Sequence, residues 1–345
     1  MPANLSPEYK AAAEAFRKAR EPQERLDCLR QMLSVIPKHK GTDHLQADLK
    51  RRIKELDEEL QGPKRGGARS GPSLVVRPEG AAQIALVGPP NSGKSSLHAR
   101  LTHSGAKSGP YPYTTQYPEP GMLRWEDVLF QLVDLPAISA EHPLPWLGST
   151  LQSADAALLV VDLSDPDCIQ HVESVQSMLA ERRVSLLTRW PADAGVAPAA
   201  VSPEDEADVF AVRLPTLLVA SKADRLAHAD TDLEALAELE EPHFPTLLVS
   251  AETGQGLDAL GPWLWRALGL VRIYTKTPGK PALHDRPFTL RHGEQTVGDV
   301  ARLVHRDLAR TLKFARVWGR SVVAEGQHVG REHLLADRDV VELHT

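Results

Sequence analysis

The chain has two cysteines in 345 residues, Cys28 and Cys168. They lie far apart and form no Cys-x-x-Cys spacing. That argues against a disulfide framework and against a zinc site, and it fits reduced thiols in a cytoplasmic protein. Long apolar runs are scarce too: stretches such as Ala156 to Val161 fall far short of a membrane span. Charges begin at Glu8, so no signal peptide is visible and no membrane partner is expected. Positive charge is the third shortage. Forty Lys and Arg against 46 Asp and Glu give a formal charge of −6, which speaks against DNA as a partner and leaves RNA contact to a local basic patch.

What is present falls into segments. Ser6-Pro7 opens a helix, since proline suits the first helical position. Leu26, Leu29, Leu33 and Ile36 recur at helical spacing and stop near Pro37. A third stripe of Leu45, Leu49, Ile53, Leu56 and Leu60 follows Thr42, the expected N-cap. Residues 1–62 therefore read as a helical N-terminal arm, and the Gly/Pro/Arg/Ser-rich residues 63–80 as a linker. From residue 81 to 271, apolar runs at Ile84–Val87, Leu129–Val133, Ala157–Val161, Leu217–Ala220 and Thr246–Val249 alternate with helical stretches. This α/β pattern predicts a mostly parallel sheet with helices on both faces. Asp193–Ala207 is an aperiodic loop. Residues 272–345 read as a compact α+β module, with a Thr296-capped helix running to about Leu312 and Trp318 in its core.

Gly88-Pro-Pro-Asn-Ser-Gly-Lys-Ser-Ser96 follows the first strand directly and opens a helix, the context of a phosphate-binding loop. Gly88, Asn91, Ser92, Gly93, Lys94, Ser95 and Ser96 are the expected phosphate contacts. Lys94 is placed to reach β- and γ-oxygens, and the Ser95 hydroxyl to hold Mg²⁺. Asp134 in Asp-Leu-Pro-Ala ends a later strand, placed to approach the same Mg²⁺. Asp224 in Ser221-Lys222-Ala-Asp224 can accept hydrogen bonds from N1–H and the 2-amino group of guanine, both of which adenine lacks. Ser250-Ala251-Glu252 follows the next strand, where a backbone N–H can meet guanine O6. Four motifs at successive strand ends select GTP or GDP over ATP. Between the first two motifs, Thr115, with Thr114 as the alternative, is the residue expected to close over Mg²⁺ and the γ-phosphate. Lys94, Thr115 and Asn91 are the catalytic candidates; Ser95, Thr115 and Asp134 are the metal candidates.

The motif set GPPNSGKSS, YPYTTQYPEPGM, DLPA, SKAD and SAETGQG resembles a GTPase of the Obg superfamily, most closely the branch of developmentally regulated GTP-binding proteins. The C-terminal stretches Ile273–Lys280, Ala315–Ser321 and Asp337–Leu343 are similar to that family's TGS domain, a ubiquitin-like β-grasp module. Ile36–Thr42 and the helix after it resemble its N-terminal arm. The resemblance implies GTP hydrolysis with Mg²⁺ and association with ribosomes or RNA. It leaves room for a protein partner on the arm or the TGS domain. It also implies that Asn91 can serve as a ligand for K⁺, which acts in related enzymes where an arginine finger would. Lys313, Arg316, Arg320, Arg331, His305, His328 and His333 are the candidates for a phosphate-facing surface.

Four departures accompany the resemblance. Ala137 replaces the glycine of the family's DLPG motif, and Ile138 stands where a water-orienting glutamine is expected. Ser221 replaces the commoner asparagine. An inserted small domain is missing, only Asp193–Ala207 being available for it. Slow turnover follows from these departures, and at the limit a hydrolysis-deficient scaffold that binds guanine nucleotides.

Overall fold

A computed structural model describes residues 6–19, 22–37, 42–61, 74, 76–103, 115–195, 210–239, 242–293 and 295–345. Thr114, Tyr111–Tyr113, residues 63–73 and 75 of the expected linker and residues 196–207 of the aperiodic loop lie outside the described residues. The first helices are α1 (Pro7–Lys18), α2 (Pro22–Val35) and α3 (Asp43–Gln61). Ser6 Oγ accepts from the Tyr9 N–H at 3.1 Å and so caps α1. Tyr9, Ala12, Phe16, Leu29, Met32 and Leu49 form the arm's core. Phe210, from outside the arm, completes it, and Arg52 of α3 lies over the Phe210 ring at 4.1 Å. Thr42 stands one residue before α3, and its hydroxyl donates to Pro37 O at 2.5 Å, tying the start of α3 to the turn from α2.

The larger sheet has the order β2 (Glu119–Trp125), β3 (Val128–Asp134), β1 (Gln83–Val87), β4 (Ala156–Asp162), β6 (Val212–Ser221), β5 (Val184–Leu187), and β7 (Thr246–Leu248) also pairs with β6. β2 is antiparallel to β3; the pairings of β1, β4, β5, β6 and β7 are parallel. Why the strands read as unbroken apolar runs is visible in their two sides. Ala85, Val87, Ala157, Leu159 and Val161 join one core with Val172 and Val175 of α6 (Cys168–Ala180) and Leu236 of α7 (Ala229–Leu239). Their neighbours Ile84, Leu86, Ala156, Leu158 and Val160 join the other. There they meet Leu97 and Leu101 of α4 (Lys94–Thr102) and Leu264 and Trp265 of α8 (Leu260–Ala267). With both faces buried, every position must be apolar, and the alternation expected of a half-exposed strand is lost. A short helix, α5 (Leu147–Leu151), precedes β4.

The second sheet has the order β11 (Gln327–Val329), β10 (Phe314–Trp318), β12 (Asp339–His344), β8 (Leu270–Lys276), β9 (Leu283–Arg291), with β8 and β12 parallel. Val297 and Val300 pack on it from α9 (Val297–Val304), which Thr296 and Asp299 start with a capping box. The single helix expected to reach Leu312 is broken. His305 is extended at φ −167°, and its ring nitrogen accepts from the Asp307 N–H at 3.2 Å to start α10 (Arg306–Thr311). Trp318 is a second correction. In β10, Ala315 and Val317 face the core, so Trp318 falls on the opposite face, where the Lys276 ammonium lies 3.7 Å from its ring centroid.

The second sheet is fastened to the β2–β3 hairpin by charge. Arg272 of β8 donates to Glu126 Oε2 at 2.5 Å and Asp127 Oδ1 at 2.7 Å, both in the hairpin turn, and Tyr274 OH donates to Asp127. The Arg272 guanidinium also lies against Trp125 and Trp265. Hydrogen bonds from Arg272 hold the Glu126 carboxyl below its ordinary range. At Asp127, burial pushes the other way, but hydrogen bonds from Tyr274 and Arg272 outweigh it and the carboxyl is also held low. Depressed carboxylates contribute stability that is complete above their unfolded values, about 4, and lost as pH falls through the lower folded values. We therefore expect acid to release this junction only below about pH 4. Tryptophan fluorescence should follow it through Trp125 and Trp265, and Arg272→Met should remove that acid transition.

Candidate functional site

The phosphate-binding loop is shaped by two glycines. Gly88 has φ +154°, and a Cβ there would lie 2.3 Å from Val160 O, so β4 leaves no room for a side chain. Gly93, at φ +92°, turns the chain into α4. Asn91, between them, is exposed and left-handed at φ +59°. Lys94 begins α4 and is buried, its Nζ donating to Gly88 O at 3.1 Å, Pro89 O at 2.8 Å and Ser92 Oγ at 3.4 Å. Burial pulls its ammonium down to about 8, with the Asp134 charge opposing part of the shift. An ammonium folded back on carbonyls and short of charge compensation is suited to a phosphate.

Beside Lys94, three oxygens converge. Ser95 Oγ donates to Asp134 Oδ2 at 2.6 Å, Thr115 Oγ1 donates to the same atom at 2.9 Å, and the two hydroxyls are 3.0 Å apart. Asp134 is 1% exposed, and its other oxygen, Oδ1, is buried without a hydrogen-bond partner among the described residues. Two hydroxyls and an orphaned carboxylate oxygen are hard donors, the set that Mg²⁺ takes when phosphates and waters complete its shell. The residues present fit that ion. No cluster of three His, Cys, Asp or Glu exists among the described residues to compete as a metal site.

On the other side of the loop, Ser221 Oγ donates to Ser92 O at 2.6 Å and Val161 O at 2.9 Å. Ser221 thus ties this strand end to the phosphate loop. Lys222, left-handed at φ +61°, reaches across to Asn91 O at 2.7 Å and Asp162 Oδ2 at 2.5 Å. Asp162 was not foreseen, though its place at the end of β4, in register with Ser221, was a usable signal. Ser250 Oγ donates to Asp224 Oδ1 at 2.5 Å and accepts from the Thr253 N–H at 3.1 Å. Gly93, Ser96, Lys222, Asp224 and Ala251 line a cleft of about 500 Å³ against α4. Asp224 is exposed in it.

Two departures gain a physical meaning. Ile138 is buried in the core on one side of the larger sheet, and its N–H donates to Gly88 O at 3.0 Å. Its side chain therefore offers nothing to a water. Ala137 is not among the residues with positive φ, so the alanine is unstrained in this conformation. Of the basic candidates of the second sheet, Arg316 and His328 are cross-strand partners, with Arg316 Nε donating to His328 Nε2, while His333 bonds Ser321 and His305 caps α10.

A strand–loop–helix turn around a buried lysine, a carboxylate in the adjoining cleft and a second, five-stranded sheet at the C-terminus are the parts of a P-loop GTP-binding protein with a C-terminal TGS domain. The family model for a 50S ribosome-binding GTPase matches residues 83–189, and that for the TGS domain matches residues 271–345. An uncharacterized GTP-binding protein of Methanocaldococcus jannaschii is 30% identical, over 93% of this chain and 92% of its own. Developmentally-regulated G-protein 3 of Arabidopsis thaliana is 29% identical, over 90% of this chain and 95% of its own. A GTP-binding protein of Pyrococcus horikoshii, of known structure, aligns at 17% identity with a TM-score of 0.49, over 76% of this chain and 99% of its own. The chain belongs to the family of the developmentally regulated GTP-binding proteins. The alignment to the Methanocaldococcus protein runs over 370 positions although this chain has 345 residues, so that relative carries segments this chain lacks. No helix among the described residues is long and apolar enough to cross a membrane.

Proposed function

We propose that the protein is a slow GTP hydrolase acting as a switch on ribosomes or RNA. Residues 1–62 would be the arm, 63–80 the linker, 81–271 the GTPase domain and 272–345 the TGS domain. The observation that carries the proposal is the meeting of Thr115, Ser95 and Asp134 within 3.0 Å of one another. Thr115 stands four residues before β2, and its hydroxyl reaches both Ser95 Oγ and Asp134 Oδ2 beside the phosphate loop. In this reading Gly88, Asn91, Ser92, Gly93 and Ser96 wrap the phosphates, while Asp224, with Ser221, Lys222, Ser250 and Ala251 supporting, reads the guanine. Ser95, Thr115 and Asp134 would hold Mg²⁺, which neutralises phosphate charge when bound. Lys94 exchanges its carbonyl partners for β- and γ-oxygens, adding positive charge where negative charge develops. The description of the matched GTPase family supports a ribosomal partner.

Buried Ile138 favours a second reading, a scaffold that binds guanine nucleotides and scarcely hydrolyses them. With no side chain there to orient water, turnover depends on help from elsewhere, and K⁺ at Asn91 is the candidate. The test is GTP turnover with Mg²⁺ in K⁺ and in Na⁺, beside GTP, GDP and ATP affinities. We expect guanine-selective binding and turnover that rises in K⁺. Guanine binding with no turnover in either salt, even with ribosomes added, would select the scaffold. Preference for ATP would overturn both.

A further inference from the structure

The β2–β3 hairpin is pinned at both ends. β2 begins at Glu119, shortly after Thr115, and β3 finishes at Asp134 itself. Between them runs an unbroken antiparallel ladder of seven pairs, from Glu119↔Asp134 to Trp125↔Val128. Such a ladder transmits a displacement of its turn to its open end, where Asp134 finishes β3 and Thr115 stands four residues before β2. At the turn, Arg272 has a side chain only 3% exposed. It holds Glu126 and Asp127 from one side and Asp337 at 3.1 Å from the other. The guanidinium is also packed 4.5 Å from the Trp265 ring and 5.2 Å from that of Trp125. Arg338 adds a bond to Glu126 at 2.9 Å. A planar fork serving several carboxylates while stacking on indoles is a geometry lysine cannot reproduce. Because the charge is buried, the turn cannot leave the second sheet without costing it two of these three carboxylate partners, Asp337 alone remaining.

We propose that Arg272 is a positioning residue of the nucleotide switch: it fixes the hairpin turn to the TGS domain and thereby sets where the hairpin's other end presents Thr115 and Asp134 to Mg²⁺ and the γ-phosphate. This rests on the GTP-switch reading above. GDP lacks the γ-phosphate and gains little from that placement, so Arg272 acts on the preference for GTP over GDP. By linkage, whatever tilts the TGS domain changes that preference, and GTP changes the affinity for whatever tilts it by the same factor.

The experiment uses the full chain with Mg²⁺, measuring affinities for a non-hydrolysable GTP analogue and for GDP in wild type, Arg272→Lys, Asp127→Asn and Arg291→Met. Arg291→Met is the control. It removes a different bond across the same junction, Arg291 to Asp155, which lies outside the hairpin. Arg272→Lys should lower the GTP-to-GDP affinity ratio about fivefold or more, with GDP affinity held within about twofold, and Asp127→Asn should move it the same way. Arg291→Met should leave the ratio unchanged even if it lowers the melting temperature. An unchanged ratio in folded Arg272→Lys overturns the proposal, as does an equal fall in Arg291→Met. Should Arg272→Lys fail to fold, Asp127→Asn alone decides on the same criterion. Wild type that binds neither nucleotide would instead overturn the GTP-switch reading, and this proposal with it.

Discussion

Lys94→Ala should lower GTP affinity by about 10²- to 10⁴-fold, the loss of two charge-assisted hydrogen bonds at about 1.5–3 kcal/mol each. The fold should change far less. Removing the side chain leaves Gly88 O, Pro89 O and Ser92 Oγ without their present donor. It also removes an ammonium that burial already drives down to about 8, and the two effects oppose one another. Thermal unfolding with and without GTP separates them. Wild type should gain stability by RT ln(1 + [GTP]/Kd), whereas the variant should melt near the free wild type and gain almost nothing. An unchanged GTP affinity would show that Lys94 is a core lysine rather than a phosphate ligand.

The phosphate loop was legible because its chemistry is local. One strand, one turn and the start of one helix contain it, and Gly88 must be glycine for a reason fixed by the neighbouring β4. The central strands were legible because burial on both faces leaves an unmistakable apolar run. β2 was not. It is an edge strand reading Glu-Pro-Gly-Met-Leu-Arg-Trp, with three of its seven residues exposed and only Leu123 buried, and it carries neither an apolar run nor a clean alternation. The helix expected through Leu312 failed on a single residue, since nothing in the periodicity of Val297–Thr311 announces that the His305 ring will cap a new helix. Trp318 failed because a large ring suggests a core, whereas strand parity assigned that core to Ala315 and Val317.

Other features were illegible because they depend on distance in the chain. Lys222 finds Asp162 sixty residues away, and Arg272 finds Asp127 across 145. Neither pair has a spacing that a motif records. Thr115 lies between these cases. The sequence offered Thr115 with Thr114 as the alternative. Thr115 reaches the Ser95 hydroxyl and Asp134, and Thr114 lies outside the described residues.

Asp224→Asn should redirect the protein from guanosine to xanthosine nucleotides. Guanine offers two donors, N1–H and the 2-amino group, to one carboxylate. Xanthine keeps N1–H but presents a carbonyl at position 2. An asparagine can accept from N1–H and donate to that carbonyl, while against guanine its amide N–H meets another donor. The loss of charge-assisted pairing and the donor clash together should weaken GTP binding by about 10²- to 10⁴-fold, and xanthosine triphosphate should become the tighter ligand. The substitution is close in shape. Ser250 Oγ can still donate to the retained carbonyl oxygen at the position of Oδ1, so Ser221, Ser250 and the cleft wall should keep their places. Competition binding with the four triphosphates of guanosine, xanthosine, inosine and adenosine reads the outcome directly. Inosine is the informative member, because it lacks only the 2-amino group. Wild type should bind it more weakly than GTP, and the variant should bind the two more alike. If Asp224→Asn retains its guanine preference, Asp224 is not the base reader, and specificity must come from the backbone around Ala251.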